Sequence, residues 1–364
     1  MIKSAKVDGI GNAPLSQDMK RSDEVIGKQP KLPGNGCCCN CCGKPPGPID
    51  VNKIIQDGGK FIQLNDGRIV EYFVYGSEDP NAPVLLEING SGGTGWMFKE
   101  LEGITKALKQ YNVKAISISV PGHGYSSTQI NRTIGNWPKD DVEPVLNAEG
   151  ITGNFWVEGT SYGTSHAMAV AHYFGERVEK LHLHVPYLPI EIRKEKGWKL
   201  YGADDAMKCQ PDWVKSICSC RAFCCISCVC CCHKRCPGMF YDENGKKVSD
   251  GLKALNLPDH YSVEAKDVDR SAALGPYGTI HNSLIPTTST NWGFDPREIP
   301  TKKVIISYGE DDQQSPAEHG KFLADFFTDK NDVVCKVNVG KGMGHSNHVL
   351  KMVSGEFIKQ IFEL

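Results

Sequence analysis

No run in this chain approaches the length of a membrane-spanning helix, so a protein built on spanning helices is not expected. An excess of one charge is missing as well. Lys and Arg number 41 against 43 Asp and Glu, a net charge of −2, and this leaves no electrostatic case for a nucleic-acid partner. The opening residues, Met1-Ile-Lys-Ser-Ala-Lys-Val-Asp8, lack the apolar centre of a secretory signal. Residue 2 is not the glycine that N-myristoylation requires, and a cytoplasmic location is the expectation. Internal repeats are absent. So is the Gly-Lys-Ser/Thr ending of a phosphate-binding loop.

What is present is a chain of 364 residues, 40% hydrophobic and 23% charged. That suits one large α/β domain with an insertion, or two domains. The most informative stretch is Asn154-Phe-Trp-Val-Glu-Gly159-Thr-Ser161-Tyr162-Gly163-Thr-Ser-His-Ala-Met-Ala. A β-rich apolar run stops at Gly-x-Ser-x-Gly, and a helix-favouring run of small residues follows. Strand, sharp turn and helix are the context of a nucleophile elbow. Side chains two residues either side of the serine would collide in so tight a turn; Gly159 and Gly163 remove them. The same turn puts the backbone N–H of Tyr162 at a helix N-terminus, where an oxyanion would form. A glycine-flanked serine in an ordinary strand–helix loop is the plain alternative.

Residues 1–50 are polar, rich in Gly and Pro and without periodicity, and are expected to form a disordered arm. Phe61–Leu64 and Arg68–Tyr75 around Asn-Asp-Gly predict a hairpin. Strands are expected at Pro83–Ile88, Lys114–Ser119, before the elbow, and at Val178–Val185, with a helix from Trp96 to about Gln110 and a looser helical segment near Lys139–Glu149. From Pro186 to Pro300 the rhythm lapses. It resumes with strand Lys303–Tyr308, helix Ala317–Phe327, strand Val333–Val339 and a last helix from about Asn347 to Phe362. The alternation predicts a mostly parallel sheet covered by helices on both faces, with ligands at the carboxyl ends of its strands. The division is therefore an arm (1–50), a core in two parts (51–185 and 301–364) and a cap inserted at 186–300.

A serine hydroxyl needs a base, and the base needs a group to orient it. Strand 303–308 ends in Gly309-Glu-Asp311-Asp312, an acidic turn, and strand 333–339 ends in a glycine-rich loop leading to His345. Taken singly, each is an ordinary solvated turn or surface histidine. Their order after Ser161 is the one this architecture requires. The loop Asn89-Gly-Ser91-Gly-Gly-Thr-Gly95 follows a strand where a second oxyanion donor is expected, and Ser91 is the candidate. A pyrophosphate cradle is disfavoured by the glycine spacing and by the lack of an acid ending the next strand.

Together these residues resemble the α/β-hydrolase superfamily, in its serine-nucleophile, lipase/esterase-like branch, over roughly residues 60–185 and 300–364. The motifs are Asn-Gly-Ser-Gly-Gly, Pro121-Gly-His-Gly-Tyr-Ser126, Gly-Thr-Ser-Tyr-Gly, Gly-Glu-Asp-Asp and Gly-His. The resemblance implies Ser161 as nucleophile, Asp312 as acid (Asp311 being second choice), His345 as base and the insertion as a cap over the site. Asn89 stands where the family usually has histidine, and Ser119 where an aspartate often precedes the Pro-Gly-His-Gly turn. Epoxide hydrolases and haloalkane dehalogenases of this fold carry aspartate at the elbow, so serine points to acyl transfer. The expected substrate is a small ester or related acyl compound, lipid-like in one reading, with no cofactor, no metal ion and activity lost on acidification. An acyltransferase, a thioesterase and a non-catalytic ligand-binding member of the fold are the alternatives.

Sixteen cysteines are the anomaly, fourteen of them in Cys37–Cys42 and Cys218–Cys236. Vicinal runs close no useful disulfide loops, and reduced thiols are expected. Phe223, Ile226, Val229 and Lys234-Arg235 beside them favour S-acylation and peripheral membrane association. Cys225-x-x-Cys228 with His233 would suit a metal, and an apolar patch using cysteine as a small hydrophobe is the third reading. His182 with His184, and His345 with His348, are spaced for a metal pair, but a structural role is expected for the first pair and a place in the last helix for His348. Trp137, Trp198, Trp213 and Trp292 are expected in packing, one or two of them beside an acyl pocket.

Overall fold

The computed structural model describes residues 49–90, 92–129, 132–198, 260–271, 273–274, 291–312 and 314–364. Eight strands form one sheet: β1 (Lys60–Gln63), β2 (Ile69–Gly76), β3 (Val84–Ile88), β4 (Lys114–Ile118), β5 (Phe155–Thr160), β6 (Val178–His184), β7 (Lys303–Gly309) and β8 (Val334–Gly340). Their spatial order is β1-β2-β4-β3-β5-β6-β7-β8. β1 and β2 form the expected antiparallel hairpin, β2 joins β4 antiparallel, and every later pairing is parallel. β5 lies at the centre. Its six residues are all buried, as a strand covered on both faces must be.

The described α-helices are α1 (Val51–Gln56), α2 (Gly95–Glu100), α3 (Glu102–Gln110), α4 (Glu143–Ala148), α5 (Gly163–Phe174), α6 (Ile190–Glu195), α7 (His260–Ser271), α8 (Ala317–Thr328), α9 (His345–Val353) and α10 (Glu356–Glu363). Among the described residues an apolar core lies on each face of the sheet, with a smaller cluster of Ile49, Val51, Ile54, Ile69 and Leu274 beside them. On one, α4, α5 and α8 bring Val145, Leu146, Met168, Val170, Leu323 and Phe327 against Leu86, Val157, Leu183 and Ile306. On the other, α2, α3, α9 and α10 bring Phe98, Ile104, Leu108, Met352, Phe357 and Ile361 against Leu85, Trp156 and Ile305. Leu85 and Leu86 belong to opposite cores because side chains alternate along a strand.

Two expected helices are each broken in two. At Leu101 the backbone becomes extended, and its side chain is buried in the second core. At Gly355 the backbone is left-handed, φ 78°, and a Cβ there would stand 2.5 Å from the carbonyl of Gly103. A Cβ on Gly103 would in turn stand 2.5 Å from the carbonyl of Val353. These breaks are made by a backbone crossing of distant segments, which helical periodicity does not register. The last helical stretch also starts at His345, two residues earlier than expected. The looser segment is a wide π-type turn, Pro138–Val142, running into α4, whose Pro144 has no N–H to donate.

Of the expected cap, α6 and α7 are described. Residues 1–48 and 199–259, with Cys37–Cys42, Cys218–Cys236 and Trp213, lie outside the described residues. Trp137 and Trp292 are fully buried. Among the described residues no helix is long and apolar enough to cross a membrane.

Candidate active site

Ser161 follows β5 directly, with φ 53°, a conformation that residues other than glycine rarely adopt. Its N–H donates to the carbonyl of His184 at 2.9 Å, and its own carbonyl accepts the N–H of Thr164 at 3.0 Å. The flanking glycines are sterically required. A Cβ on Gly159 would lie 2.6 Å from Cβ of Ala167; one on Gly163 would lie 2.5 Å from the carbonyl of Asn89 and closer still to that of Ile88. Nothing but hydrogen fits at either position. Tyr162 is the N-cap residue of α5.

Parallel pairing of β7 with β8 sets Gly309 opposite Gly340, so the loops that follow leave the sheet side by side. Glu310 donates its N–H to the carbonyl of Gly340 at 3.0 Å, and Asp311 to that of Met343 at 3.1 Å. These two bonds zip the acidic turn to the glycine-rich loop. Asp311 is left exposed, whereas Asp312 is buried. Oδ2 of Asp312 is 2.8 Å from Nδ1 of His345, and Nε2 of His345 is 3.1 Å from Oγ of Ser161. The other carboxylate oxygen of Asp312 accepts the backbone N–H groups of Gln314 and Ser315, each at 2.8 Å. Ser161, His345 and Asp312 therefore stand in one hydrogen-bonded line at the carboxyl edge of the sheet.

Ser91 lies outside the described residues. Its neighbour Gly90 is close enough that a Cβ there would be 3.2 Å from that of Ser161, so this loop passes beside the hydroxyl. Four side chains brace it. Asn89 donates Nδ2 to the carbonyl of Thr94. His123 holds the carbonyl of Gly93 at 3.0 Å through Nδ1, and burial pushes its pKa down to about 4. Ser119 accepts the N–H of Gly95 at 3.0 Å and donates to Glu71 at 2.6 Å. Asp267 of α7 accepts both the N–H (2.8 Å) and the hydroxyl (2.5 Å) of Thr94, and burial raises its pKa to about 7. The two departures at Asn89 and Ser119 thus each supply a bond. Asp267 escaped sequence reasoning because the stretch around it carries no strand–helix rhythm. His123 was visible in Pro-Gly-His-Gly but carried no role there.

Two of the cavities lie among described residues other than Ser161. One of about 440 Å³ lies beside Asp312, Glu310, Glu318 and Lys321; one of about 390 Å³ lies between β6–β8 and α9–α10, lined by His182, His184 and His348. Among the described residues no three His, Cys, Asp or Glu side chains are grouped to hold a metal ion.

No family model matches the chain, and a search of curated proteins returns no match. Solved structures do. A bromoperoxidase from Bacillus anthracis superposes with a TM-score of 0.60 at 18% identity, over 84% of this chain and 99% of that one. An esterase from Exiguobacterium antarcticum gives 0.56 at 17%, over 84% and 100%, and one from Rhodococcus sp. ECU1013 gives 0.55 at 18%, over 84% and 99%. This chain has the α/β-hydrolase fold. In that fold a nucleophile elbow follows the central strand and the acid and histidine follow later strands, the order in which Ser161, Asp312 and His345 occur here.

Proposed function

We propose that the protein is a serine hydrolase that cleaves a carboxylic ester, or a related acyl bond, through an acyl-enzyme. The observation that carries this reading is the line from Ser161 Oγ to His345 Nε2 (3.1 Å) and from His345 Nδ1 to Asp312 Oδ2 (2.8 Å), with the serine on a strained, glycine-flanked turn. Asp312 accepts a hydrogen bond from Nδ1–H of His345, holding the ring proton on Nδ1 and leaving a lone pair on Nε2. That lone pair takes the proton of Ser161 as Oγ attacks the acyl carbon. The backbone N–H of Tyr162 and a donor from the Asn89–Gly95 loop, with Ser91 as the candidate, stabilise the oxyanion. Imidazolium then protonates the leaving oxygen. Water, activated by the same nitrogen, frees the acid and restores the serine. No step calls for a cofactor.

An ester is the first choice because several neighbours of this fold are esterases, and a thioester is the alternative acyl substrate. The segment 186–300 is assigned as the cap that selects the acyl chain. The Cys37–Cys42 and Cys218–Cys236 clusters are proposed as S-acylation sites that would hold the enzyme at a membrane, near lipid-like esters. A fluorophosphonate probe with a panel of p-nitrophenyl esters tests the main reading. Labelling and turnover by the wild type, both lost in Ser161→Ala, are expected. A wild-type protein that neither labels nor hydrolyses any ester would instead be a ligand-binding member of the fold.

A further inference from the structure

We propose that His184 is a positioning residue that holds Ser161 and the helix carrying His345 in one register. This rests on the serine-hydrolase reading above. His184 is the last residue of β6 and is buried. Its carbonyl accepts the N–H of Ser161 at 2.9 Å, so its backbone restrains the strained residue directly. Its ring reaches the other way. Nε2 lies 2.9 Å from the carbonyl of His348 and 3.3 Å from Nδ1 of the same residue. A carbonyl only accepts, so Nε2 of His184 carries the proton and donates it. His348 stands one helical turn beyond His345 in α9. One residue thus grips the nucleophile's backbone with its carbonyl and the base's helix with its imidazole.

The chain beyond His184 wraps the same elbow. Val185 has φ 49°, a conformation that β-branched residues rarely adopt, and its N–H donates to the carbonyl of Ser307 at 2.7 Å. Two residues on, the N–H of Tyr187 donates to Oγ1 of Thr164 at 2.9 Å, and its ring sits 5.0 Å from that of Tyr162. Strain in a buried segment persists where its surroundings over-determine it, and such places cluster at functional sites. Among the described residues the buried Nδ1 of His184 has no hydrogen-bond partner, a desolvation cost that an apolar side chain would avoid. The donation from Nε2 is what an apolar side chain could not supply. His182 provides the contrast. It occupies the same face two residues earlier, its ring 5.5 Å from that of His184, but its Nε2 is bonded to Oγ of Ser307 on β7, 2.9 Å away, rather than to α9.

The test compares His184→Leu, His184→Gln, His184→Asn and His182→Leu with wild type. Each is measured with p-nitrophenyl acetate and by the rate of fluorophosphonate labelling, per folded molecule. A glutamine amide nitrogen reaches about as far as Nε2 and keeps the donation; an asparagine amide falls short. The leucine variant at 184 should lose about ten- to a hundredfold in kcat with KM within about threefold, as a displaced reacting group does. Glutamine should restore most of that loss and asparagine little. His182→Leu should lower thermal stability and leave kcat within about twofold. If His184→Leu does not fold, the glutamine–asparagine comparison decides. Equal activity of those two variants, or an equal kcat loss from His182→Leu, would overturn the proposal and leave His184 a packing residue. An inert wild type would instead overturn the serine-hydrolase reading on which it rests.

Discussion

Asp312→Asn is the substitution whose outcome the geometry constrains most tightly. It changes no volume and leaves the buried site filled. Oδ1 of Asp312 accepts two backbone N–H groups, from Gln314 and Ser315, at 2.8 Å each, and two donors cannot face an amide NH2. The asparagine carbonyl must therefore take that side. Its NH2 then faces Nδ1 of His345, where the carboxylate oxygen lay at 2.8 Å. A donor there drives the ring to the tautomer protonated on Nε2, the atom 3.1 Å from Ser161 Oγ. The base then presents a proton where it needs a lone pair. An isosteric change of this kind lowers kcat by about 10⁴-fold in a serine protease, or about 5 kcal/mol in the barrier. The same order is expected here. Steady-state kcat/KM on a p-nitrophenyl ester and the fluorophosphonate labelling rate should fall together, with the thermal midpoint nearly unchanged. Asp311→Asn, at the exposed neighbour, should leave both intact. An Asp312→Asn enzyme within tenfold of wild type, or an Asp311→Asn enzyme equally impaired, would refute the tautomer argument.

The ion pair between α7 and the sheet should be sharply asymmetric under mutation. Arg270 bonds both oxygens of Glu71, whose exposure is 0%, and also Asp57 at 2.9 Å, so Arg270→Ala strands a buried carboxylate and should cost about 3–5 kcal/mol in urea unfolding. The Glu71→Gln, Arg270→Met double variant should recover much of that loss; a single-variant cost under about 1 kcal/mol would contradict the pairing. Burial holds the pKa values of His123, His166, His182, His184, His319 and His348 below that of free imidazole, with His123 and His348 at about 4 and His182 and His319 at about 3. Stability from these groups is complete above the unfolded value of about 6.5 and is lost as pH falls through the window toward the folded values, by about 1.4 kcal/mol per pH unit for each group. Urea midpoints should drop steeply from pH 7 to pH 5, and less so in His123→Asn; a flat profile would be the contrary result. Glu87, pushed up to about 8 by burial, acts with opposite sign. Its contribution falls as pH rises from the unfolded carboxyl value toward 8, so Glu87→Gln should flatten the alkaline side of the same profile.

How much of this was legible beforehand differs from element to element. The hairpin, the parallel strands and α5 follow from alternation, apolar runs and an Asp-Gly turn, all local signals. The breaks at Leu101 and Gly355 were not legible, because Gly103 and Gly355 lie 252 positions apart and meet only through space, a contact that neither helix's own periodicity marks. The braces on the Asn89–Gly95 loop come from Ser119 and His123, which follow β4, and from Asp267 of α7, two segments far apart in the chain.

Sequence alone pointed to the class of chemistry proposed here. Gly159, Ser161 and Gly163 define a turn by their own sterics, and the order of acid and histidine behind the later strands follows from counting elements. Tertiary structure decided which neighbour meets His345. Asp311 and Asp312 are equivalent as letters, and only the pairing of Gly309 with Gly340 and the bond from Asp311 to Met343 turn one carboxylate outward and the other toward His345. Likewise His182 and His184 differ in nothing local, yet one meets Ser307 and the other joins Ser161 to α9. Turn sterics act within a few bonds and can be read along the chain, whereas strand register and the approach of two loops exist only once the sheet has formed.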